Sequence, residues 1–210
     1  RQDMAFLRTF DLKAVVIACG TVSTTAIDVL AAENDIPVLG VVEPSARRAA
    51  QATRNGRIGL IGTQASIRSG AYEKYIEAES PGVQVLAEAC PLFVPLVENG
   101  RIHPGDAVIE TVCAEYLQPL KDAGVDTLVM GCTHYPVYRP ALEKRLPGVR
   151  MIDVGEALAE ALRPLFAESR GTGAVEYYVT ERSAAFDEIV RVMDPSLDPA
   201  AIRVENAFIQ

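Results

Sequence analysis

The sequence predicts an α/β protein whose parallel sheets are covered by helices on both faces. Three observations carry this. Short apolar, β-branched runs alternate with longer helical patterns; the runs are too uniformly apolar for a sheet with one wet face; and the pattern occurs twice in the chain.

Ala14–Ala18 opens the series as a buried strand, and Thr24–Glu33 follows with a helical pattern. Val38–Val42 is the second strand and Ser45–Arg54 its helix. Arg57–Ile61 and Val83–Ala87 read as strands on either side of a helix at Ile67–Ala78. A long helical stretch, Asp106–Ala123, leads to the strand Thr127–Met130. The helix Pro140–Leu146, the strand Met151–Val154 and the helix Glu156–Ala167 complete the regular part. Beyond it, Val175–Thr180 has strand character and Ser183–Val192 helix character.

The repeat has a fixed offset. Ala14-Val15-Val16-Ile17-Ala18-Cys19 aligns with Thr127-Leu128-Val129-Met130-Gly131-Cys132, 113 residues on (132 − 19 = 113). At the same offset Val38–Val41 lies over Met151–Val154, and Glu43 meets Glu156 (156 − 43 = 113). Each copy reads strand, Cys, helix, strand, Glu, helix. The copies are unequal before the cysteine. About 75 residues run from Arg57 to Cys132, whereas 18 precede Cys19 in a chain that opens with Arg1. The first half is therefore expected to lack its leading strand–helix units, leaving an unpaired edge beside the Cys19 strand. The predicted domains are 1–43 with 152–210, and 44–151.

Composition excludes several classes. The 210 residues are 49% hydrophobic, with 20 Lys plus Arg against 28 Asp plus Glu, a formal charge of −8. That balance, without a basic cluster, argues against nucleic acid or an anionic membrane as partner. No apolar run approaches the roughly 20 residues that span a bilayer, and low-complexity tracts are absent. A cytoplasmic location is expected. The four cysteines, Cys19, Cys90, Cys113 and Cys132, lack the two-to-four-residue spacing of a structural zinc site, so no metal is expected. Free thiols are expected rather than a disulfide framework.

Cys19 and Cys132 each follow an apolar strand directly, at the sheet end where open α/β folds bind ligands. There a thiol meets a helix N-terminus that favours thiolate. Gly20-Thr21 and Thr133-His134 add backbone N–H groups, hydroxyls and an imidazole suited to an anionic ligand. Either cysteine alone would be read as core; matching repeat positions beside polar neighbours favour function. Cys113 lies in a helical pattern and reads as packing, and His103 as surface or loop. Two facing thiols can serve opposite sides of one bound carbon. One thiolate removes a proton, the other thiol delivers one to the opposite face, and a stereocentre inverts without redox chemistry. The developing carbanion then needs oriented N–H and hydroxyl donors.

At these residues the sequence resembles a known family. Gly131-Cys132-Thr133-His134-Tyr135-Pro136 and Ala18-Cys19-Gly20-Thr21 are similar to the two cysteine signatures of glutamate racemases, in the cofactor-independent aspartate/glutamate racemase family. Cys90–Glu98, Ile58–Thr63 and Pro37–Pro44 also resemble family segments, and the likeness covers most of residues 10 to 166. The resemblance implies two flavodoxin-like α/β domains related by a pseudo-two-fold axis, here with the first incomplete. It implies an amino-acid racemase without a cofactor, with glutamate as its small-molecule substrate, supplying D-glutamate for peptidoglycan. It allows a homodimer. By resemblance Cys19 and Cys132 are the acid/base thiols, His134 assists Cys132, and Gly20, Thr21, Thr133 and His134 contact substrate. Thr63, at the end of the second half's first strand, is expected near the pocket; Glu43 and Glu156 are read either as carboxylates behind it or as favourable charges at helix N-termini.

Two departures matter. The family carries Asn where Gly20 stands, which loses a side-chain amide. Its Asp-Ser-Gly and Pro-Tyr-Gly segments have no counterpart here, so a chain that truly begins at Arg1 is expected to show negligible racemase activity. Two other readings stay open. One is a sister two-cysteine racemase acting on aspartate or another carboxylate, against which His134 argues, because the aspartate branch carries Glu there. The other is a truncated, non-catalytic binding relative.

Overall fold

Six parallel strands in two sheets organise the described part of the chain, in a computed structural model that describes residues 1–168, 176–179, 187, 190, 191 and 196. In the first sheet β1 (Val15–Ile17) pairs with β2 (Val38–Gly40). The second has the order β4-β3-β5-β6, from β3 (Arg57–Gly62), β4 (Gln84–Ala89), β5 (Thr127–Met130) and β6 (Arg150–Asp153). Every ladder is parallel.

The repeat in sequence is a repeat in register. Val15 faces Val38 and Leu128 faces Met151, so partners stand 23 residues apart in both copies (38 − 15 = 23; 151 − 128 = 23). A one-residue slip would turn every side chain to the wrong face, so the shared register means the copies bury the same faces. They differ in their flanks. β5 lies between β3 and β6, whereas β1 pairs with β2 alone among the described residues.

Helices cover the second sheet on both sides, which is why all four residues of β5 are buried. One face packs on α7 (Phe93–Glu98), α8 (Ala107–Asp122), a 3-10 turn at Tyr135–Tyr138 and α9 (Arg139–Arg145), through Phe93, Val97, Leu117 and Leu142. The other packs on α4 (Val42–Ala52), α6 (Ala71–Glu79) and α10 (Val154–Phe166), through Ala46, Ala49, Tyr72, Ile76 and Leu158. α4 and α10 follow the equivalent strands β2 and β6 and pack on each other. Arg48 spans them, 3.7 Å from Glu156 and 3.2 Å from Glu160.

Local chemistry divides two helices that the sequence predicts as continuous. Thr24–Glu33 is two pieces, α2 (Gly20–Thr25) and α3 (Ile27–Ala32). The Thr24 and Thr25 hydroxyls both donate to the Thr21 carbonyl, at 2.9 and 2.7 Å, and compete with the backbone ladder at the break. Ile67–Ala78 is likewise α5 (Gln64–Ser69) and α6, separated by Gly70 in the left-handed region (φ 64°). β2 ends at Gly40 rather than Val42, because Val42 already belongs to α4. Of the predicted strand Val175–Thr180, residues 176–179 are described and form no strand; Tyr178 instead packs its ring on Phe6 and Phe10, at 5.5 and 5.3 Å. Of the predicted helix Ser183–Val192, Asp187, Val190 and Arg191 are helical and the rest lies outside the described residues. No helix among the described residues is long and apolar enough to cross a membrane.

Asp126, just before β5, clasps the connection between α4 and β3. Its carboxylate accepts from the Thr53 hydroxyl at 2.7 Å, the Arg54 and Asn55 N–H groups at 2.7 and 2.8 Å, and the Thr127 hydroxyl at 3.0 Å. Burial pushes this carboxyl up, but the accepted hydrogen bonds together outweigh it and hold the group below its ordinary value. Folding therefore favours the charged form. The contribution is complete above the ordinary carboxyl range and is lost as pH falls through the lower native value. Asp126→Ala is expected to cost about 2 kcal/mol at neutral pH. Denaturant unfolding of both proteins should show the gap closing in acid; a gap independent of pH would mean the carboxylate is not its source.

Candidate active site

The repeat delivers one cysteine at the end of each equivalent strand. Cys19 follows β1 and is the N-cap of α2, with extended backbone (φ −74°, ψ 119°). Cys132 stands two residues past the end of β5. Their settings differ. Cys19 is exposed and lines a groove of about 730 Å³ with Val15, Val16 and Val22, while Cys132 is only 7% exposed.

Backbone brings the two turns together. A Cβ placed on Gly20 would overlap the carbonyl oxygen of Gly131, so the residue after the first cysteine lies against the residue before the second. Hydroxyls link the same region. The Thr21 and Thr63 hydroxyls are 2.8 Å apart, and Thr63 donates to Ser66 Oγ at 3.0 Å. Thr63 caps α5, accepting from the Ser66 N–H at 3.3 Å, so β3 and α2 share one polar cluster.

Cys132 has a line of partners. Its Sγ is 3.7 Å from His134 Nδ1, and His134 Nε2 is 3.4 Å from Glu98 Oε1. Burial raises the Cys132 thiol; the His134 backbone N–H pulls it down, and Cys19 and Glu98 push it further up. The net rise keeps Cys132 protonated at neutral pH, with an imidazole and then a carboxylate placed to receive its proton. Such a line of groups can carry a proton to or from the thiol. Thr133, half-buried, lies between Cys132 and His134 in the same turn.

The other candidates go elsewhere. Glu43 pairs with Arg47 at 2.8 Å, and Glu156 lies 3.7 Å from Arg48 and 3.5 Å from Arg139. Glu43 is thus engaged in an ion pair within α4, and Glu156 in ion pairs that join α10 to α4 and α9. His103 is exposed in the loop before α8. Cys113 is fully buried, its thiol pushed up to about 12 by burial, as suits a packing residue. Cys90 is buried in the same core. Among the described residues no three His, Cys, Asp or Glu side chains gather as a metal site.

Glu98 and Ser66 join the site without having been singled out in the sequence. Glu98 ends a segment that carries a family likeness, but its approach to His134 is a tertiary contact. Ser66 could have been found from the cap pattern Thr63-Gln64-Ala65-Ser66.

Comparison with known proteins finds similarity to racemases over most of the chain. The Asp/Glu/Hydantoin racemase family matches residues 4–162. The glutamate racemase of Geobacter metallireducens is 43% identical over 189 residues, covering 87% of this chain and 69% of that protein. That of Persephonella marina is 40% identical over 184 residues, covering 88% and 70%. Among solved structures, the glutamate racemase of Francisella tularensis in complex with D-glutamate superposes with a TM-score of 0.88 at 27% identity, covering all of this chain (100%) and 78% of that one.

Proposed function

This chain belongs to the Asp/Glu/Hydantoin racemase family, and we propose that Cys19 and Cys132 are the two acid/base thiols with which it interconverts L- and D-glutamate. The observation that carries the assignment is the contact of the two cysteine-bearing turns, one sulfur open and the other backed by His134 and Glu98.

The chemistry follows from the asymmetry. With glutamate bound beside the joined turns and its Cα between the two sulfurs, the Cys19 thiolate takes the Cα proton from one face. Cys132, held as a thiol by its burial, donates its proton to the opposite face. In the other direction Cys132 must first lose its proton, and His134 Nδ1 accepts it while Glu98 steadies the charged imidazole. The carbanion between these steps is a high-energy species. N–H groups of the first turn of α2, unpaired within the helix, and the hydroxyls of Thr21, Thr63 and Thr133 are placed to bind the substrate carboxylates and disperse that charge. No step calls for a redox cofactor. The product is a D-amino acid of the class built into peptidoglycan, and the reaction belongs to the cytoplasm. A homodimer fits this reading; sedimentation of the purified chain tests it.

Two experiments separate the readings. Circular dichroism of L-glutamate incubated with the protein should drift toward the racemic value while L-aspartate stays unchanged. Drift with aspartate alone would favour the sister racemase. Alkylation of Cys19 and Cys132, located by mass spectrometry, should be slowed by D-glutamate. If glutamate neither turns over nor protects the thiols, the non-catalytic reading stands.

A further inference from the structure

At the amino ends of β3, β5 and β6, opposite the end that carries Cys132, Arg54 and Arg150 line one open groove of about 730 Å³. Gln51, Asp126, Gly148 and Val149 line it with them. One residue pins the backbone of both arginines. The Arg54 N–H donates to the Asp126 carboxylate at 2.7 Å, and the Arg150 N–H donates to the Asp126 carbonyl at 2.8 Å. Their side chains are left over. Both residues are exposed, and neither guanidinium has an ion-pair or hydrogen-bond partner among the described residues. By contrast Arg1, Arg47, Arg48, Arg101, Arg139 and Arg145 all lie within ion-pair distance of carboxylates. Asp126, the acid in the groove, pairs with neither guanidinium; its carboxylate already accepts from Thr53, Arg54, Asn55 and Thr127.

The repeat does not require this chemistry. At the 113-residue offset Arg150 falls on Pro37 and Gly148 on Asp35 (150 − 113 = 37; 148 − 113 = 35). The corresponding groove of the first half is lined by Asp11 and Asp35 beside Arg8. Two free guanidinium groups in one groove are thus particular to the second half, in a chain whose formal charge is −8.

We propose that this groove is an anion site that takes the phosphoryl group of a small molecule. A guanidinium presents parallel N–H donors that match phosphate oxygens, and two of them balance a phosphate dianion. Gln51 adds a neutral amide donor, and Val149 an apolar wall for the body of a ligand. The volume falls in the range of about 300–1,000 Å³ usual for small-molecule sites.

The probes are inorganic phosphate and ribose 5-phosphate, titrated calorimetrically at constant ionic strength. Phenylglyoxal modification of each arginine, located by mass spectrometry, shows where they bind. Phosphate is expected to bind saturably and to slow modification of Arg54 and Arg150, but not of Arg163, an exposed arginine on α10. Arg54→Ala and Arg150→Ala should each weaken binding about tenfold, the loss of one charge-assisted hydrogen bond. Both side chains are exposed, so the variants should melt as the wild type does. Ribose 5-phosphate binding more tightly than inorganic phosphate would assign the groove to a phosphorylated metabolite, and equal binding to free phosphate; either keeps the anion site. No saturable binding at millimolar phosphate, binding unaffected by both substitutions, or equally tight binding of malonate would overturn the proposal.

Discussion

Cys132→Ser is expected to lower glutamate racemisation by about a thousandfold, and Cys19→Ser by a similar factor. The hydroxyl is close to the thiol in size but a far weaker acid, so it neither ionises to a base near neutrality nor yields a proton as readily. Size of effect alone does not distinguish a two-face mechanism from general damage; the pattern of solvent exchange does. A variant with one working thiol can still remove and return the Cα proton on that thiol's own face. In deuterated water Cys19→Ser should therefore label one enantiomer of glutamate without inverting it, and Cys132→Ser should label the other. Labelling of the same enantiomer by both variants would put both sulfurs on one face of the substrate and end the mechanism. The partners of the sulfurs sharpen the expectation. Cys132 reaches His134 at 3.7 Å, and His134 reaches Glu98 at 3.4 Å, so exchange by Cys132 has a route for its proton. Cys19 is exposed and exchanges with solvent directly.

β3 and β5 were legible because burial on both faces leaves a continuous apolar run. Thr127–Met130 forms β5 with the predicted ends, and the 113-residue offset reappears as identical pairing in both sheets. The short elements were not legible. α7 runs for six residues with Pro95 at its third position, and the 3-10 turn at Tyr135–Tyr138 contains Pro136; both look like loop in one dimension. What holds them is tertiary. Phe93 is fully buried, with its ring 5.1 Å from Tyr135 and 5.2 Å from Tyr138, and this packing places Glu98 beside His134. The thiols could be picked out because the repeat marks them.

Gly20 carries the second large effect. The family pattern has Asn there, which suggests that Gly20→Asn should simply restore a substrate contact. The structure predicts otherwise. The backbone at Gly20 is not left-handed, so any residue could adopt it, but a Cβ would overlap the Gly131 carbonyl oxygen. A backbone atom cannot rotate aside as a flexible side chain does, so the two cysteine-bearing turns must separate. Overpacking of this kind costs about 1–3 kcal/mol. For a chain of this size that is a drop of roughly 3–9 °C in melting temperature. Gly20→Ala measures the steric part alone and should destabilise as much as Gly20→Asn. The amide is then isolated by the difference between the two variants: Asn should bind glutamate better than Ala by about fivefold, one neutral hydrogen bond. Because the sulfurs ride on the turns that are forced apart, both variants should also lose turnover relative to the wild type, and the amide should recover only part of it. A Gly20→Ala protein with wild-type melting and wild-type thiol reactivity would show that the turns part at no cost. The contact between Gly20 and Gly131 would then be incidental to the spacing of the sulfurs.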